Sequence, residues 1–125
     1  MKALIFILGL MASATAFATG GFECTTRSGE TTVIGTTEAG GILQSKVYIL
    51  HKSLKDSVEL ELSMNWINYH SEEIKAVSYD VKRDVQMLYL DATRGRGRLD
   101  LNLVDMIDGS KDIEFRNRLV DCIIE

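Results

Sequence analysis

Arginine and glycine alternate over Arg94-Gly95-Arg96-Gly97-Arg98, the densest run of one charge in the chain. Positive charge crowded on one loop steers association with anions. Arg94, Arg96 and Arg98 are therefore the candidate contacts for an anionic surface, a phosphate group or an acidic partner. The competing account is a hairpin turn whose arginines are solvated and keep one end of a sheet soluble. A nucleic-acid role fits poorly. The run is short and lacks aromatic neighbours, and the chain carries 14 basic against 18 acidic side chains, net −4, whereas nucleic-acid affinity rests on neutralising phosphates.

Other reactive side chains do not assemble into a recognisable constellation. The two histidines, His51 and His70, stand apart. His70 precedes Glu72 and Glu73, and imidazole with carboxylate is ordinary zinc chemistry, but the helical or Cys/His spacing of a metal motif is missing. Both histidines read as loop residues. The serines fall in neither G-x-S-x-G nor S-x-x-K. The glycines of "TTVIGTTEAGG" are followed by no helical pattern that would make them a phosphate loop. Glu59 and Glu61 read as exposed strand positions, and Asp84, Asp91, Asp100 and Asp105 scatter over two hairpins. No catalytic residue, metal ligand or cofactor is assigned. Trp66, Tyr48, Tyr69, Tyr79 and Tyr89 could line a pocket or an exposed face; against that, Trp66 is expected in the core, while Tyr48 and Tyr69 fit a core or a surface equally.

Cys24 and Cys122 are the only cysteines. Their spacing has nothing of C-x-x-C, so a structural disulfide is expected rather than a redox pair. It would close nearly the whole domain into one loop, worth about 4–5 kcal/mol by chain entropy.

The elements that must position these residues have a period of two. "VELELSMNW" places Val58, Leu60, Leu62, Met64 and Trp66 on one face. "RLDLNLV" places Leu99, Leu101 and Leu103 inward, "KAVSYDV" places Val77, Tyr79 and Val81, and "DIEFR" places Ile113 and Phe115. Further strands are expected over Phe22 to Arg27, Thr31 to Ile34, Ile42 to Leu50 and Val85 to Leu90. A terminal strand faces Val120, Cys122 and Ile124 inward. The change of inward parity after Phe115 calls for a bulge or break near Asn117. Asp108-Gly109, Ser28-Gly29 and Gly40-Gly41 carry turn chemistry. Ser71 with Glu72 and Glu73 offers a competing single helical turn. The expected fold is all-β: one small antiparallel meander closed as a β-barrel or β-sandwich, its first and last strands paired and linked by Cys24–Cys122.

Residues 1–18 read as a signal peptide: Lys2, an apolar stretch from Ala3 to Met11, then small residues with Ala16 and Ala18 before the cleavage point. The apolar stretch is short for a membrane span, which needs about 20 residues, and no later segment resembles one. Residues 19–125 then form a single exported β domain. Losing Lys2 leaves 13 basic against 18 acidic side chains, net −5. The expectation is a small periplasmic or extracellular binding module, its partner an anionic envelope component or another exported protein. An inhibitor of another exported protein is the alternative. A hydrolytic or metal-dependent enzyme is the reading least supported by these residues.

Overall fold

The computed structural model describes residues 20–37, 43–104 and 112–125. The segment read as a signal peptide, the Gly40-Gly41 turn and the Asp108-Gly109 hairpin lie outside the described residues. Among the described residues nine strands form one antiparallel sheet: β1 Gly21–Thr26, β2 Thr31–Thr37, β3 Leu43–His51, β4 Val58–Glu61, β5 Met64–Asn68, β6 Glu73–Asp80, β7 Val85–Thr93, β8 Arg96–Leu103 and β9 Ile113–Ile124. Their order is β4-β3-β2-β1-β9-β8-β7-β6-β5. The sheet is curled into a half-barrel, not split into the two layers of a sandwich. Among the described residues no helix is long and apolar enough to cross a membrane.

Alternation decides which face of each strand is buried. Val33, Val47, Ile49, Ile74, Leu88, Leu90, Leu99, Leu101 and Val120 fill the inside and are essentially inaccessible. As expected from the sequence, β1 and β9 pair, with Cys24 directly opposite Cys122. The two are joined in a disulfide with Cα atoms 4.0 Å apart and 98 positions apart in sequence. The expected bulge near Asn117 is present. Asn117 adopts φ 60°, the β8–β9 register shifts between Leu99 and Leu101, and Phe115 and Val120 both face inward across the irregularity.

Two expectations fail on parity. Val58 to Trp66 is not one strand with one inward face. The chain bends at Leu62-Ser63, where the Leu62 N–H donates to the Ser45 carbonyl on the β3 side and the Ser63 N–H donates to the Val77 carbonyl on β6. The first half pairs with β3 and the second with β6. One residue is consumed in the corner, so Leu60 faces inward while Met64 and Trp66 face outward, 49% and 41% exposed. On β6 the inward set is Ile74, Ala76 and Ser78, with Tyr79 exposed on the strand and Val81 exposed in the turn that follows it. Register explains it: Ile74, Ala76 and Ser78 sit opposite Ala92, Leu90 and Leu88, the buried side of β7. Ser78 tolerates burial because its hydroxyl donates to the Glu61 carbonyl at 2.6 Å. The helical turn offered for Ser71 is absent. Residues 69–72 are a turn, in which the Asn68 Oδ1 accepts the His70 and Ser71 N–H groups.

The arginine run is a turn entering a strand. Arg94 and Gly95, at φ 54° and 80°, form a two-residue connection between β7 and β8 of the kind that right-handed strand twist favours. Gly95 relieves the positive φ. Gly97 does a different job: it lies inside β8 opposite Ala92, and a Cβ there would run into the Asp91 carbonyl and Ala92.

Gly97→Val should destabilise the domain by about 1–3 kcal/mol, the usual range for overpacking, read as a lower urea midpoint. Replacing both cysteines with serine should cost about 4–5 kcal/mol if loop entropy dominates. Because Cys24 and Cys122 are buried, a thiol reagent added after mild reductant should label the native protein far more slowly than the denatured one.

Candidate functional site

The outer face of β5–β9 is where candidate and unforeseen residues come together. Outward positions alternate with inward ones, and the strand registers place them in rows running across the sheet. One row reads Trp66, Lys75, Asp91, Arg98 and Leu119, from β5 to β9. The next reads Met64, Val77, Tyr89 and Asp100. A third reads Asn68, Glu73, Thr93, Arg96 and Asp121.

Of the three arginines, Arg96 and Arg98 share this face two positions apart on β8, and Arg94 sits at the tip of the hairpin. Among the described residues none of the three lies within 4 Å of a carboxylate. Arg98 donates from Nη1 to the Asn117 Oδ1 at 2.9 Å. Asn117, held in its positive φ, donates its own N–H to the Asp100 Oδ1 at 2.6 Å. Asp121, across from Arg96, forms an ion pair instead with Arg27 at 3.6 Å. The tip is tied on both flanks. The Arg94 N–H donates to the Glu72 carbonyl at 3.0 Å, and the Gly95 carbonyl accepts from the Cys122 N–H at 2.8 Å. The run is thus part of the sheet and not a loose loop.

An open groove of about 330 Å3 crosses β7 and β8 on this face, lined by Tyr89, Asp91, Thr93, Arg96, Arg98, Asp100 and Asn117 among others. It collects planar and directional hydrogen-bonding groups: two guanidinium groups, an amide, two carboxylates and two hydroxyls. The Tyr89 hydroxyl leans on Asp91 Oδ2 at 3.5 Å. Sequence reasoning found the arginines, and separately named Tyr89 and Trp66 among the aromatics able to line a surface, but did not bring them together. Trp66 and Tyr89 are 41% and 36% exposed, and the signal that could have revealed Trp66 is the Leu62-Ser63-Met64 stretch, where a polar residue could mark a corner as readily as an outer position.

A second polar cluster lies at one end of the half-barrel. Glu30 takes Lys52 Nζ at 2.6 Å and Arg118 Nη1 at 3.3 Å, and the Arg118 guanidinium sits 4.4 Å over the Phe115 ring. The hydrogen bonds and charge of Lys52, reinforced by Arg118, hold the Glu30 carboxyl below its ordinary range. His51, beside it, is pushed down chiefly by burial, while Glu30 works the other way. Its Nδ1 lies 2.8 Å from the Ser53 hydroxyl. An adjoining surface groove of about 230 Å3 is lined by His51, Lys52, Lys55 and Asp56 among others. The cluster ties the β1–β2 turn to β3 and β9, which is a structural task. His70 stays in the turn after β5, and among the described residues no group of three or more His, Cys, Asp or Glu is placed to hold a metal ion.

Comparison with protein-family models, with characterised proteins and with solved structures finds no match to this chain.

The end cluster makes a signed pH prediction. His51 has a depressed folded pKa, so it contributes stability that is present above its unfolded value near 6.5 and is lost as pH falls through the folded value. In an NMR titration His51 should titrate below about 6.5. Glu30→Gln should lower it further, because the carboxylate that favours the imidazolium is gone. An unchanged or raised His51 pKa in that variant would contradict the arrangement.

Proposed function

We propose that this chain is an exported binding module that engages its partner through the outer face of β5–β9. The observation that carries the reading is the placement of Met64, Trp66 and Tyr89, half exposed, on the same rigid face as Arg96 and Arg98. Tryptophan, tyrosine, methionine and arginine are the residues enriched where proteins make contact, and contiguous exposed apolar surface on a small domain marks interaction sites. A pattern of alternating strands had room to bury Trp66. The corner at Leu62-Ser63 turns it out instead.

The remaining observations agree with this reading. The inside of the half-barrel is filled by side chains, so recognition falls to the surface. The face is built from strands and a stitched two-residue turn, so little conformational entropy is lost on docking. A disulfide between the first and last strands is compatible with export to an oxidising compartment, periplasmic or extracellular, following cleavage of the segment 1–18.

Native mass spectrometry of the protein released gently from its own compartment should show mass beyond the chain. Trp66→Ala combined with serine at Arg94, Arg96 and Arg98 should abolish that added mass while leaving the unfolding free energy, read from urea titration, within about 1 kcal/mol of the parent, as expected for surface substitutions. Added mass that persists in the combined variant would overturn the reading.

A further inference from the structure

We infer that the outer face of β5–β8 binds an acidic glycan strand, with the sugar chain running across the strands. This inference rests on the binding role proposed above and names the chemistry of the partner. Three features of the face select it.

The first is the mixture of charges inside the groove. Arg96 and Arg98 invite an anion, but Asp91 and Asp100 line the same groove. A uniform polyanion would place charge against both carboxylates and be repelled. A polyhydroxylated chain with a carboxylate only at intervals is not. Its hydroxyls donate to Asp91 and Asp100 and accept from Asn117 and Thr93, and its carboxylate meets the arginine fork. The second is the aromatic flank. Tyr89 lies in the groove and Trp66 two strands to its side, in the row that leads through Lys75 and Asp91 to Arg98. The C–H face of a pyranose ring stacks on such rings. The third is spacing. Neighbouring strands lie about 4.8 Å apart, close to the advance of one sugar unit along an extended glycan. Successive units can therefore meet Trp66, Lys75, Asp91 and Arg98 in turn. A protein partner is the weaker fit, because interface centres are depleted of charge and this groove is dense with it.

Trp66 is the chain's single tryptophan, so the unmodified protein reports on its own face. Titration with oligosaccharides in which a uronate alternates with a neutral sugar (hyaluronan oligomers) should shift and saturate the tryptophan emission. Calorimetry should give an affinity that falls at least about tenfold in Asp91→Asn and in Tyr89→Ala, the weight of roughly one hydrogen-bonded or stacked contact. Urea midpoints guard against misfolding, and the wild-type titration needs no variant. Neutral oligosaccharides and polyphosphate are the control arms. Binding of polyphosphate without uronate binding would overturn the glycan inference in favour of a bare anion site. Response to neither, with the native association still abolished by the combined Trp66 and arginine variant, would overturn it in favour of a protein partner and leave the binding role standing. Response to neither, with association that the combined variant does not disturb, would overturn both.

Discussion

The pairing of β1 with β9 holds the molecule together. Seven of the eight strand pairings join strands that follow each other in the chain. The eighth brings the first strand against the last, and Cys24–Cys122 lies at its centre. Without that seam the chain is two meanders, β1–β4 and β5–β9, each with an apolar face and no partner for it. Loop-closure entropy opposes the seam more than any other contact, since its residues are 98 apart. The covalent link removes that opposition from the folded–unfolded balance. At the far side of the sheet the meanders are joined by the chain itself, through the Leu62-Ser63 corner. The outer strand β4 is short and carries Glu59 and Glu61, a composition that discourages further strand addition.

Much of this was legible because alternation and covalent chemistry are local signals. Leu99, Leu101 and Leu103 alternate with polar residues, and they are inward. The two cysteines lay in the outermost expected strands of the domain, and they are paired. The reversal of parity between Phe115 and Val120 demanded a bulge, and Asn117 supplies it. Legibility ended where both faces of a strand are apolar, or where a strand changes partner. Ile74, Ala76, Val77, Tyr79 and Val81 offer apolar residues at both parities, and only the register against β7 chooses between them. In Val58 to Trp66 the alternation is unbroken across the corner, so nothing local reports that the chain has moved from β3 to β6.

The candidate site was legible in the same uneven way. Charge density is written in the sequence, so Arg94, Arg96 and Arg98 stood out. Their setting is not. Arg98 faces Asp91 across a strand gap, and Asn117 holds its guanidinium from two strands' worth of chain away. Gly95 behaves as a turn glycine should, whereas Gly97 answers to a close approach by Ala92 that no turn rule anticipates.

The double tether of the Arg94-Gly95 turn, to Glu72 on one flank and Cys122 on the other, also bears on how fast this face meets anything charged. Flexible charged arms capture ligands by sweeping a large volume, then lose time collapsing into place. Here the backbone that carries the arginines is held in place, and Asn117 fixes the Arg98 guanidinium on the face that also carries Lys75, Asp91 and Asp100. The face therefore presents an approaching molecule with a constant pattern of attraction and repulsion, which orients it before contact. Such steering is strongest within about 8–10 Å at physiological salt, so orientation is selected in the last few water layers of the encounter.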